Sequence, residues 1–157
     1  MTVQTQDTGK AVSAVIAQSW HRCSKFMQRE TWQTPHQAQG LTFDSICRRK
    51  TALLTIGQAA LEDAWEFMDG RPCALFILDE TACILSRCGE PQTLAQLADL
   101  GFRDGSYCAE SIIGTCALSL AAMQGQPINT AGDRHFKQAL QPWSFCSTPV
   151  FDNHGRL

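Results

Sequence analysis

The stretch CALFILDETACILSRCG, Cys73–Gly89, decides how the rest of the chain is read. Its first six residues, Cys73 to Leu78, are apolar on both alternating faces, which predicts a central β-strand covered on both sides. Asp79-Glu80-Thr81-Ala82 turns the chain, and Cys83 to Cys88 runs back and closes at Gly89. A hairpin at this position, flanked by segments of a different period, makes the chain a mixture of helices and antiparallel strands.

Before the hairpin, Phe43, Ile46, Cys47, Leu53, Leu54, Ala60, Leu61, Ala64, Trp65 and Met68 recur at helical spacing. Thr42 offers an N-cap, Asp44 puts negative charge in the first turn, and Gly70 and Pro72 end the helix. One helix of about seven turns is expected, with Gly57 as its weak point, long enough to cross a sheet or meet a second subunit. Farther upstream, Val12, Val15, Ile16, Trp20, Cys23, Phe26 and Met27 mark a one-faced helix over residues 10–27 that needs a partner surface. Residues 29–40, with Pro35 and Gly40, form a connector between the two helices.

After the hairpin, Pro91 to Leu100 reads as a short helix, followed by an irregular stretch with several glycines. Gly114 to Met123 is small and apolar enough for a buried helix, Gln126 to Thr130 is a short strand, and Asp133 to Leu140 an irregular or helical crossover. Phe145 to Phe151 is the last strand, with Pro149 suiting an edge or a bulge. Asp152-Asn153-His154-Gly155 then supplies a turn after which two residues remain, so the 157 residues are expected to be a fragment of a longer protein.

Length and a 44% hydrophobic content suffice for one core. Thirteen basic and fifteen acidic residues leave a formal charge of −2 without a basic block, which argues against a nucleic-acid or membrane-surface module in this segment. The amino terminus lacks the basic region of a signal peptide, and no apolar run reaches membrane-spanning length, so a cytoplasmic location is expected. The eight cysteines form no C-x-x-C pair; in a reducing compartment they serve as small hydrophobes, and no metal ligand set is assigned.

Phosphate-cradling glycine loops, H-E-x-x-H and G-x-S-x-G are absent from this segment. Cys108 or Cys116 with His135 is the one nucleophile and base combination to examine, and without evidence of its geometry no catalytic residue is assigned. Trp20, Trp65 and Trp143 fit core positions, whereas Trp32 lies in the polar connector, where a large aromatic packs under a loop or meets a partner. Arg48-Arg49-Lys50 is a solvated face or a contact site on the long helix.

Residues Ser19-Trp20, Arg22-Cys23, Glu110, Gly114-Thr115, Gly125, Pro127, His135-Phe136, Trp143, Cys146, Pro149, Asp152 and Gly155 carry a resemblance that runs over essentially the whole chain. It resembles the GAF sensor domain at the amino terminus of enhancer-binding transcription activators of the acetoin-regulator type. Within that family, SWHRCSKFMQRETWQTPHQAQG (Ser19–Gly40) and ALFILDETACILSRCGEPQTL (Ala74–Leu94) are most similar to the branch that controls glycerol and dihydroxyacetone utilisation. Where other members follow Gly-Thr with Asn-Ala-Ile-Gly, this chain has Cys116-Ala117-Leu118-Ser119, which alters the packing there.

The resemblance implies an α+β fold: a GAF-like antiparallel sheet flanked by helices, lacking its last strand and closing helix. Residues 1–40 would be an amino-terminal helix and connector and residues 41–157 the GAF-like domain. PAS-like, AAA+ and helix-turn-helix domains would follow outside this chain; ATP would be used by the AAA+ domain, and DNA and RNA polymerase would be met only through those domains. The implied activity is not enzymatic. It is sensing and partner binding in an activator of the glycerol and dihydroxyacetone operon, controlled by the ADP-binding and dihydroxyacetone-binding subunits of dihydroxyacetone kinase, in a homodimer. Trp20, Trp32, Arg48, Arg49 and Trp65 are the candidate partner or dimer contacts. The alternative is a metabolite-binding GAF domain of another such activator, with Tyr107, Cys108, Glu110 and Thr115 lining the pocket. A GAF-fold methionine sulfoxide reductase, using cysteine chemistry, is a third reading.

Overall fold

A computed structural model describes residues 5–68 and 70–155, with side chains described from Ala14 onward. The chain divides into two compact units, Thr34–Cys108 and the described residues on either side of that segment.

Within Thr34–Cys108, two helices precede a hairpin: α2 (Gly40–Arg49), α3 (Thr51–Glu66), β1 (Ala74–Leu78) and β2 (Ile84–Gly89). The strands pair antiparallel from Ala74 opposite Gly89 to Leu78 opposite Ile84, with a register shift between Ile77 and Leu78. Asp79 makes the turn: its Oδ1 accepts from the Thr81 N–H and hydroxyl and from the Cys83 N–H, at 2.9, 2.6 and 3.0 Å. β1 is half-buried along most of its length, with Ile77 deepest, so the expected burial on both faces is not realised in this unit. Helix α4 (Pro91–Asp99) follows β2. Glu90 caps it, its carboxylate accepting from the Gln92 and Thr93 N–H groups, and Pro91 occupies the first turn, where its missing N–H costs nothing.

The single long helix expected over residues 42–68 is two helices. Lys50 leaves the helical region at φ −106°, ψ 21°, and the ladder restarts with Leu54 N–H donating to the Lys50 carbonyl. At the break the Thr51 hydroxyl donates back to the Arg48 carbonyl at 2.8 Å, a side-chain bond of the kind that often bends helices. The break preserves the helical phase, so Ile46 of α2 and Leu53, Leu54 and Leu61 of α3 still converge with Ala38, Ile77, Cys83 and Leu85 in one apolar cluster. Helix α2 begins at Gly40 behind Gln39, so Thr42 is not the cap and Asp44 falls outside the first turn. At the weak point, Gly57, α3 packs tightly on the strand: a Cβ there would lie 2.7 Å from Ile77 Cδ1. The connector is also more ordered than its composition suggests, since Gln37 bridges Ser106 and Ala38 N–H donates to the Gly105 carbonyl at 2.9 Å.

The other unit holds α1 (Thr5–Cys23), α5 (Glu110–Ile113), α6 (Ala117–Gln124), β3 (Ile128–Ala131) and β4 (Ser144–Ser147). α1 ends at Cys23 and not at Met27, which leaves Phe26 beyond the helix and exposed. β3 and β4 pair antiparallel, Thr130 opposite Phe145, and turn Ile128, Thr130 and Phe145 inward beneath α6, which is buried from Ala117 to Ala121. Thr130 Oγ1 accepts the Ala117 N–H at 2.9 Å, so a strand side chain satisfies one of the orphan donors at the start of α6. β4 stops at Ser147, short of the expected Phe151, because Pro149 cannot donate to a ladder. The crossover is a pair of 3₁₀ turns, Gly132–Arg134 and Gln138–Leu140. The expected Asp152–Gly155 turn is present, with Asp152 Oδ1 accepting the His154 N–H at 2.8 Å.

Candidate functional site

α1 presents Ser19, Arg22 and Cys23 at three- and four-residue spacing, so the three share one face. That face meets α5. Glu110 Oε1 accepts from Arg22 Nε at 2.8 Å, and Oε2 accepts from both Arg22 Nη2 and Ser19 Oγ at 2.7 Å. Because Ser19 gives its hydrogen to Glu110, the 2.7 Å contact between Ser19 Oγ and Thr115 Oγ1 has Thr115 as donor. Cys23 Sγ lies 3.7 Å from the same Thr115 hydroxyl. Burial pushes the Glu110 carboxyl up, but the Arg22 and Ser19 bonds outweigh it and hold the group below its ordinary range, as an anion. The same pair raises Arg22.

Next to this network, Lys137 donates to the Gln28 and Thr31 carbonyls at 2.7 and 2.8 Å and is pushed down by burial. Trp20 packs edge-on against Phe136 at 5.2 Å, donates Nε1–H to the Arg134 carbonyl at 2.9 Å, and carries Arg29 over its ring at 4.5 Å. Ile16, Ala17 and Trp20 form the apolar wall of an open groove of about 480 Å³, with Asp133 and Arg134 at its edge.

In the Thr34–Cys108 unit, a half-open cavity of about 310 Å³ is lined by Ile46, Arg49, Lys50, Asp79, Glu80, Thr81 and Tyr107. Two residues singled out for different reasons, Arg49 as a partner contact and Tyr107 as a ligand contact, therefore line one cavity. Lys50 and Glu80, also in its lining, pair with each other, and that bond holds the Glu80 carboxyl below its ordinary range. The other pocket candidates are placed as follows: Cys108 is fully buried in this unit, while Glu110 and Thr115 are buried in the α1–α5 network of the other. Of the remaining contact candidates, Arg48 is exposed, and Trp32 and Trp65 are half-buried.

In the nucleophile combination, Cys116 is not an activated thiol. Cys116 is buried in apolar surroundings and its thiol is pushed up to about 12; burial raises Cys83 to about 12 as well, and raises Cys23. His135 is fully buried, and its Nε2 donates to the Trp143 carbonyl at 3.2 Å. Its Nδ1 has no hydrogen-bond partner, and burial lowers its pKa, so it is held neutral. No group of His, Cys, Asp and Glu among the described residues could hold a metal ion, and no helix among them is long and apolar enough to cross a membrane.

The family model for the GAF domain matches residues 52–157. The chain belongs to the GAF domain family. This GAF chain is 86% identical over 157 residues to the glycerol metabolism operon regulatory protein of Citrobacter freundii, covering all of the chain and 24% of that relative. It is 69% identical over 149 residues to the PTS-dependent dihydroxyacetone kinase operon regulatory protein of Escherichia coli (strain K12), covering 95% of the chain and 23% of the relative. The chain thus spans about a quarter of the length of the curated relatives it matches. Among solved structures it matches a chain in the crystal structure of the E. coli DhaR(N)-DhaL complex, with a TM-score of 0.89 and 70% identity over 90% of this chain and 48% of the other. Several residues that carry the family likeness, Ser19, Arg22, Cys23, Glu110 and Thr115, meet in the buried polar network. Their first role is to tie α1 to α5.

Proposed function

We propose that this chain is the sensing and partner-binding module of a transcription activator for glycerol and dihydroxyacetone utilisation, acting in the cytoplasm. Control comes through docking of dihydroxyacetone kinase subunits, one of them a DhaL-type protein. The observation that carries this reading is the 70% identity and 0.89 TM-score to a chain solved in the DhaR(N)-DhaL complex. Interface backbones in preorganised complexes move little on binding, so the fold match carries over to the docking surface. The names of the 86% and 69% identical relatives supply the operon.

The GAF module itself does no chemistry in this reading; ATP use and DNA contact belong to parts of the regulator outside this chain. The groove beside Trp20 and the exposed Arg48 and Arg49 are the contact candidates, with dimerisation through the helical faces. Gel filtration of the chain with a purified DhaL-type subunit, with and without ADP, tests the proposal. Co-elution supports it, and independent elution of the two proteins at micromolar concentration overturns it.

A further inference from the structure

The cavity beside Arg49 has a polarity that partner docking does not account for. Its two carboxylates are already engaged: Glu80 holds the Lys50 ammonium at 2.5 Å, and Asp79 Oδ1 takes the three hydrogen bonds of the turn. Arg49 is different. Among the described residues its guanidinium makes one hydrogen bond, to the neutral Ser45 hydroxyl at 2.9 Å, so most of its five donors remain available. Tyr107 lines the same cavity, its ring held by stacking on His36 at 4.8 Å, and its hydroxyl makes no hydrogen bond among the described residues. Acceptors remain in the same cavity, at the second oxygen of Asp79 and at Glu80, beside the Thr81 hydroxyl. The cavity therefore offers donors at Arg49 and Tyr107 and acceptors at the Asp79-Glu80-Thr81 turn.

We infer that this cavity binds a small hydroxylated anion, either a hydroxy acid or a hydroxyalkyl phosphate, with Arg49 and Tyr107 on the anionic end and the Asp79-Glu80-Thr81 turn on the hydroxyls. No group of His, Cys, Asp and Glu among the described residues could hold a metal ion, and an anion without hydroxyls leaves the free Asp79 oxygen facing a negative group. The volume, about 310 Å³, is at the low end of ligand pockets and suits a small molecule. Burial raises the Tyr107 hydroxyl, which keeps it protonated and able to donate. The site goes beyond the partner-docking function and does not depend on it.

A matched set of probes tests it: lactate, 2-hydroxypropyl phosphate, propionate and 1,2-propanediol, titrated at constant ionic strength into the ¹⁵N-labelled full chain and followed by amide shifts. Lactate or 2-hydroxypropyl phosphate is expected to give saturable shifts at residues 46–50, 79–81 and 107; whichever binds more tightly identifies the anionic group. Propionate should bind about ten-fold more weakly, and the diol should not saturate. Arg49→Gln should weaken binding about ten-fold or more, while Arg48→Gln, one residue away and outside the cavity wall, leaves it unchanged. Equal effects of the two arginine variants, saturation by the diol comparable to lactate, or no saturable shifts with either hydroxylated anion would overturn the assignment.

Discussion

Removing the Glu110 carboxylate should unfasten α1. The carboxylate, 9% exposed, accepts three hydrogen bonds, two from Arg22 and one from Ser19. In Glu110→Ala the Ser19 hydroxyl keeps its contact with Thr115, and Arg22, whose side chain is 38% exposed, turns toward water. All three bonds are charge-assisted, each about 1.5–3 kcal/mol, and the retained Ser19–Thr115 contact and partial rehydration of Arg22 return much of that, leaving a net loss of about 2–4 kcal/mol. For a chain of this size each kcal/mol lowers the melting temperature by about 2–4 °C. Urea unfolding monitored by tryptophan fluorescence is the assay, with Arg22→Ala and the double variant completing a cycle. A coupling energy above about 1 kcal/mol is expected, because each single change removes the same pair. The pH dependence follows from the sign of the shift. Glu110 is lowered in the folded state, so its contribution is present above its ordinary pKa of about 4.5 and is lost as pH falls below that value. A Glu110→Ala protein within about 0.5 kcal/mol of the parent would refute the role of the pair.

Three further outcomes can be checked. His135 is lowered by burial, so the unfolded chain binds more protons than the folded one below about pH 6.5; stability should hold from pH 8 to 7 and decline as pH falls from 6.5 toward 5.5, and His135→Gln should flatten that slope in thermal melts. Gly114→Ala should cost about 2–3 kcal/mol in chemical denaturation, because φ +76° with ψ −160° is a conformation nearly confined to glycine and a Cβ there would lie 3.3 Å from Met27 Sδ and Phe136 Cβ. Thiol titration of the native chain should label exposed Cys146 first, while Cys116 and Cys83, raised to about 12, react only on unfolding; fast labelling of Cys116 would restore the reductase reading.

Local signals predicted local structure well. Pro91 announced α4 to within a residue at its end, the apolar run Cys73–Leu78 announced β1, and Pro149 marked the last strand as an edge or a bulge. The break at Lys50 was hidden because it preserves the helical phase of the apolar residues, and periodicity cannot see a bend that keeps its face. The site was harder to read. Ser19, Arg22, Glu110 and Thr115 are joined across 88 to 96 residues of sequence, and only their family likeness pointed to them. A polar Ser-x-x-Arg on the apolar face of α1, and a lone Glu opening an apolar turn at Glu110, were the available clues to a buried ion pair. Thr130 capping α6 from a strand has no sequence signature at all.

The most direct measurement is isothermal titration calorimetry of the GAF chain against a DhaL-type kinase subunit, in its ADP-bound and nucleotide-free forms. Partner docking predicts a saturable heat with a Kd in the micromolar range or tighter for the ADP-bound form, about −8 kcal/mol or more favourable. No heat with either form, from a chain whose circular dichroism shows it folded, would contradict it.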